Sequence, residues 1–183
     1  MNALLLSLLS LAAAPPPAPE AVVETAHGSF VIRLRKDLAP LHVAHFVKTA
    51  KAGGYDGTTF HRIIPGGIVQ GGDPISKDEA RTAEYGRGGL GRLAAEFSEL
   101  PFTRGVVAAA RRPSSVDSGG SQFFIVLTDQ PALRGQYTIF GEVSEGLDVV
   151  DAIGRTPVLG DKPAARVEMR KVSVREALTP AVP

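Results

Sequence analysis

Arg62 and Gln70 stand in Phe60-His61-Arg62-Ile63-Ile64-Pro65-Gly66-Gly67-Ile68-Val69-Gln70-Gly71-Gly72-Asp73, set among apolar residues and glycines. Alternation over Phe60–Ile64 predicts a strand with Phe60, Arg62 and Ile64 on one face and His61 and Ile63 on the other. Pro65-Gly66-Gly67 signals a turn, and Ile68-Val69-Gln70 a short return strand. A guanidinium keeps its charge and presents a rigid fork of donors. Flanked by apolar side chains, that fork suits a ligand offering a carbonyl oxygen beside an apolar ring. Such chemistry is binding and polarisation; it requires no nucleophile.

Other residue types capable of chemistry are less well placed. His42 and His45 lie three apart on a predicted helix, with no acidic or cysteine partner nearby in sequence, and read as surface or packing residues. His61 is expected to be structural. Gly86-Arg87-Gly88-Gly89-Leu90-Gly91 matches G-x-G-x-x-G by letter. A dinucleotide site needs that pattern between a buried strand and a helix, and neither flank fits, so it reads as a loop. No G-x-S-x-G elbow occurs, which leaves a hydrolase little support. Cysteine is absent, excluding disulfides and thiolate metal sites. The formal net charge of +1 gives no electrostatic case for a nucleic-acid partner.

Phe60–Asp73 resembles the signature segment of the cyclophilin family of peptidyl-prolyl cis-trans isomerases. A second family hallmark is present as Ser121-Gln122-Phe123-Phe124-Ile125, followed by Leu133-Arg134-Gly135-Gln136-Tyr137-Thr138-Ile139-Phe140-Gly141. The resemblance runs from about Ser29 to Ile153 and more loosely to Val174. It implies that Arg62 is the catalytic donor and that Gln70 contacts substrate and supports the arginine. Phe124 and Leu133 match residues of a proline pocket, with Ile68 where the family usually has methionine. Gln122 and the backbone around Ala110-Arg111 would hydrogen-bond an extended peptide. Ser121 is explained as scaffolding. Three departures stand out: Gly67 replaces a phenylalanine of the pocket wall, Ala132 a tryptophan of the cyclosporin-sensitive members, and Tyr137 a frequent histidine.

To hold these residues, the chain must supply short strands and few helices. Val22–Thr25 and Ser29–Arg35 read as a hairpin turning at His27-Gly28, with Phe30, Ile32 and Leu34 alternating. Val43, Phe46, Val47 and Ala50 fall at helical spacing after Pro40 and before Gly53-Gly54. Gly105–Ala110, Ser121–Leu127 and Tyr137–Val143 are further strands. In Ser121–Leu127, Gln122, Phe124 and Val126 would face a groove while Phe123, Ile125 and Leu127 face the interior. Ser144 is expected to cap a short helix carrying Leu147, Val150 and Ile153. Val167 and Met169 change phase to Val172 and Val174, predicting a bulge near Arg170-Lys171. Short strands with Gly-rich turns indicate a barrel or sandwich. The resemblance sharpens this to a mainly β fold, a closed eight-stranded antiparallel β-barrel capped by two α-helices.

At 183 residues with 44% hydrophobic content, the chain suits one domain. Residues 1–14, a Leu/Ala run ending in three alanines, read as a signal peptide too short to span a membrane. Residues 15–20 read as a Pro-rich linker, 21–176 as the isomerase domain and 177–183 as a disordered tail. The expected setting is periplasmic or secreted, or cytoplasmic if 1–14 is not a functional signal. Expected partners are proline-containing unfolded or flexible polypeptides. No cofactor, metal, nucleic acid or stable membrane insertion of the mature chain is expected, and the protein is expected to be a monomer. The leading function is acceleration of Xaa-Pro rotation during folding. The alternative is a peptide-binding chaperone module with weak or lost isomerase activity.

Overall fold

The computed structural model describes residues 18–176; the signal segment and tail expected from sequence lie outside the described residues. The chain opens with a hairpin, β1 (Pro19–Thr25) and β2 (Gly28–Leu34), followed by α1 (Pro40–Lys51), β3 (Phe60–Ile64) and β4 (Ile68–Gly71). Two 3-10 turns, Pro74–Lys77 and Glu79–Glu84, precede β5 (Leu90–Leu93), β6 (Val106–Ala109), β7 (Gly119–Gly120) and β8 (Phe123–Val126). A 3-10 turn at Pro131–Leu133 leads to β9 (Ile139–Glu145), α2 (Leu147–Gly154), β10 (Val158–Leu159), β11 (Lys162–Pro163) and β12 (Met169–Glu176). Pro19 and Glu20, placed in the linker by sequence, pair with Glu176 and Arg175 of β12, and proline is tolerated at the first residue of a strand.

Eight strands form one antiparallel sheet in the order β12-β1-β2-β9-β6-β8-β4-β3. The sheet curls into a half-barrel and does not close, which corrects the expected closed barrel. Its edges, β3 and β12, form no ladder with each other: the chain around them is joined by the isolated bridge Thr59↔Glu168 and by Phe60 N–H to Val167 O at 2.9 Å, Met169 N–H to Thr58 O at 2.8 Å and Gly57 N–H to Met169 O at 2.8 Å. Further pairing is blocked because β3 gives its Ile63 N–H to Asp161 O, at 2.8 Å, in the turn between β10 and β11. The predicted bulge in β12 is present: Glu24 pairs with Lys171 and Thr25 with Met169, leaving Arg170 as the extra residue.

The core lies on the inner face. Val43, Phe46 and Ala50 of α1 and Val150 and Ile153 of α2 pack on the same cluster as Phe30, Ile32, Ile63, Val69 and Phe123. Phe123 is its hub, with ring centroids 5.8 Å from Phe46, 5.9 Å from Tyr55 and 6.2 Å from Phe60. Among the described residues no helix is long and apolar enough to cross a membrane.

α1 starts at Pro40 as expected, whereas the start of α2 differs from expectation. Ser144 lies within β9, and α2 begins after Gly146, whose φ of +76° suits glycine. The first turn of α1 has no side-chain cap from Ala39. Glu96, far along the chain, accepts the Leu41 and His42 backbone N–H groups, each at 3.0 Å. Its Oε2 also lies 2.7 Å from His42 Nδ1. His42 is thus a buried packing residue with an acidic partner that sequence proximity could not reveal.

Candidate functional site

Arg62 reaches the outer face because β3 is bulged. Phe60 pairs with Gly71 and Arg62 with Gln70, so His61 is the extra residue. Phe60 is thereby turned into the core, 1% exposed, alongside Ile63. Arg62 and Ile64 face outward. The expected single face of Phe60, Arg62 and Ile64 is corrected, since a bulge shifts the side-chain phase by one residue.

Across β3, β4 and β8, Arg62, Gln70 and Phe124 occupy one cross-strand row, with Ile64, Ile68 and Val126 in the next. Phe124 and Val126 pack with Phe102, Ala108, Ala110 and Ile139 in a second apolar cluster, against which Ile68, Leu133 and Tyr137 are half-buried. Tyr137 meets Phe124 edge-on at 5.3 Å. Arg111 is drawn aside: its guanidinium lies 4.8 Å from the Tyr137 ring centre and its Nε–H donates to Gln136 O. A groove of about 1180 Å³ runs over this surface, lined among others by Arg62, Ile68, Gln70, Phe124, Leu133 and Tyr137.

The polar groups form a chain. Arg62 Nε–H donates to Asp161 Oδ2 at 2.8 Å and Nη1 to Gln70 Oε1 at 3.2 Å. Gln70 Nε2 donates to Gln122 Oε1 at 3.0 Å. Gln122 Nε2 in turn donates to Gly86 O at 2.9 Å and Gly88 O at 2.5 Å. Gln122 is 1% exposed, and its amide, expected to bond a peptide, is engaged at both ends by the protein. In the backbone around Ala110-Arg111, also expected to meet a peptide, the Ala110 N–H donates to Gln122 O at 2.9 Å. Ala110 and Arg111 still line the groove.

The glycine-rich loop has a structural use. Asp73, fully buried, accepts from Ile75 N–H at 2.8 Å, Gly86 N–H at 2.5 Å and Gly88 N–H at 3.3 Å. Loop N–H groups that converge on one point favour an acceptor oxygen; here the protein's own Asp73 side chain supplies it. A side chain at Gly88 would collide with it. Ser121 is likewise scaffolding, its hydroxyl donating to Gly72 O at 2.7 Å.

Beside Arg62, His61 is buried and neither ring nitrogen has a hydrogen-bond partner among the described residues. Burial pushes its pKa below the ordinary 6.5, opposed in part by the nearby Asp73 charge. The unfolded chain therefore takes up this proton first, and stability falls as pH drops below 6.5. His61→Phe is expected to flatten that slope. Urea unfolding at about pH 7.5 and pH 5.5 checks it, and an unchanged slope would show that other groups carry the effect.

Two residues of this site escaped sequence reading. Asp161 is separated from Arg62 by 99 positions, with no local signal tying them together. Asp73 was visible only as the end of a turn.

Comparison with known proteins bears on this geometry. A family profile described as cyclophilin type peptidyl-prolyl cis-trans isomerase/CLD matches residues 21–174. A probable peptidyl-prolyl cis-trans isomerase of Brucella suis biovar 1 is 40% identical over 156 residues, covering 82% of this chain and 79% of that protein. A peptidyl-prolyl cis-trans isomerase-like 1 of Rhizopus delemar is 39% identical over 135 residues, covering 74% of this chain and 79% of that protein. Among solved structures, a cyclophilin type peptidyl-prolyl cis-trans isomerase of Cryptosporidium parvum, crystallised in the presence of the dipeptide Ala-Pro, superposes with a TM-score of 0.77 at 28% identity. The match covers 86% of this chain and 99% of that one.

Proposed function

Because this chain belongs to the cyclophilin-type peptidyl-prolyl cis-trans isomerases, we infer that its groove receives an Xaa-Pro segment, with Arg62 as the catalytic donor. Rotation about the peptide bond has a barrier of roughly 18–20 kcal/mol because it breaks amide resonance. The proline nitrogen pyramidalises as resonance is lost and becomes a hydrogen-bond acceptor. A guanidinium held at that point binds the twisted state better than the planar one, which is what lowers the barrier. Gln70 holds the guanidinium by Nη1. Ile68, Phe124 and Leu133 offer the proline ring an apolar seat, with Tyr137 packed behind Phe124. The observation that carries the reading is the Arg62–Gln70 pair beside that seat in one groove. The Ala-Pro dipeptide used with the Cryptosporidium parvum relative supports proline peptides as the ligand class.

One feature favours lowered efficiency. Gly67 leaves one wall of the groove open, and its added Cβ would lie 3.0 Å from Ile64 Cγ2. It would also lie 3.3 Å from both Ile64 Cβ and Ile64 O, so a larger residue there requires Ile64, backbone included, to give way. The test is isomerisation of an Ala-Pro peptide, followed by NMR exchange, with parent, Arg62→Ala and Gly67→Phe. Arg62→Ala is expected to lose about 100-fold or more of the catalysed rate, as for removal of one donor that meets developing charge. Gly67→Phe is expected to lower KM about threefold by restoring part of an aromatic contact. Binding without acceleration by the parent would leave a peptide-binding module instead of an enzyme.

A further inference from the structure

We propose that Asp161 is the positioning residue for Arg62, delivered to it by the hairpin of β10 and β11. The inference rests on Arg62 being the catalytic donor, and its own evidence is how the hairpin is docked. Val158 pairs with Pro163 and Leu159 with Lys162, and Gly160 makes the turn with a φ of +69°. The Ala164 N–H closes the base on Pro157 O at 2.7 Å. The Asp161 carbonyl accepts the Ile63 N–H, so its backbone is fixed to the residue next to Arg62. From there its side chain reaches Nε of the guanidinium.

Two acceptors thus hold one rigid plane at different edges, Asp161 at Nε and Gln70 at Nη1. A planar fork gripped at two points has a fixed direction for its remaining donors. Among the described hydrogen bonds Nη2 has no partner and Nη1 uses one of its two N–H groups, which leaves the Nη end of the plane to donate to substrate. The Arg62 hydrogen bond holds the Asp161 carboxyl below its ordinary range, so the pair stays ionic at neutral pH. Lys162 is the other charge that favours the ionised form.

The side chains of Arg62 and Asp161 are 41% and 51% exposed. Ion pairs this exposed contribute little to folding. The effect of removing Asp161 therefore belongs in the rate rather than in stability, and this separates a positioning role from a structural one.

The experiment uses the full chain as parent, Asp161→Ala, Asp161→Asn and Arg62→Ala. It measures thermal unfolding, kcat and KM for an Ala-Pro peptide by NMR exchange, and the Arg62 Nε–H resonance. Asp161→Ala is expected to lower kcat about tenfold with KM within about twofold, because the donor loses its orientation. Its Tm should stay within about 2 °C, and the Nε–H signal should move upfield and exchange faster with water. Asp161→Asn keeps an acceptor oxygen and should recover kcat to within about threefold of the parent. The proposal is overturned if Asp161→Ala matches the parent in kcat while Arg62→Ala is inactive, or if it loses rate only in step with stability. A parent that itself fails to accelerate isomerisation overturns the catalytic reading of Arg62, and this inference with it.

Discussion

Asp73→Ala is expected to cost about 3–5 kcal/mol of stability, since removing one partner of a buried charge-assisted network leaves the others stranded. The carboxylate is fully buried and accepts three backbone N–H groups, from Ile75, Gly86 and Gly88. Without it those donors face a small cavity. Asp73→Asn should recover little, because both oxygens are used and the amide would turn an NH2 toward one set of N–H groups. The loss should also reach the groove. Gly86 and Gly88 carbonyls hold Gln122, which holds Gln70, which holds Arg62. Urea unfolding gives the stability, and hydrogen exchange at the Gly86 and Gly88 amides locates it. A loss below about 1 kcal/mol would mean that the loop is held by its other contacts.

Glu96→Ala is the second large effect, expected at about 2–4 kcal/mol, from a lost helix cap together with a lost buried carboxylate–imidazole contact. The Glu96 side chain is 13% exposed beside His42 at 4%. Burial pushes its pKa up, but hydrogen bonds from the Leu41 N–H and from His42 outweigh it and hold the group below 4.5. A depressed carboxyl stabilises the fold fully above its unfolded value and loses that contribution as pH falls through the folded one. The parent should therefore lose this stabilisation on acidification below 4.5, while Glu96→Gln, with no carboxyl to protonate, should show a shallower acid limb. Urea midpoints at about pH 7 and about pH 3.5 compare the two. Parallel limbs would assign the acid sensitivity to other carboxylates.

What the sequence made legible was what depends on neighbours in the chain. The alternation of Phe30, Ile32 and Leu34 and the spacing of Val43, Phe46 and Ala50 located β2 and α1, because each element buries a face set by its own period. Phe124 and Phe123 were assigned to opposite faces of β8 for the same reason, and they pack in separate clusters. The face of β3 was misassigned because a bulge depends on register with β4, which no local pattern encodes. Glu96, Asp161 and Asp73 act across loops that fold brings together, so their partners were invisible. Gly86–Gly91 was read as a loop, which it is in part, but nothing in its letters could show that its N–H groups would close on Asp73. Open or closed sheet topology was likewise unreadable, since it turns on one hairpin occupying the edge of β3.

The pairing of β1 with β12 has a consequence for the growing chain. β1 is the first described strand made and β12 the last, with Glu20 and Arg175 hydrogen-bonded across 155 positions. At about 5–20 residues per second, β1 waits roughly 8–30 s for that neighbour during synthesis. Through that interval one side of the β1–β2 hairpin remains an unpaired edge, open to strands of other nascent chains. Folding of this domain can therefore begin early, but it ends only when β12 emerges from the ribosome.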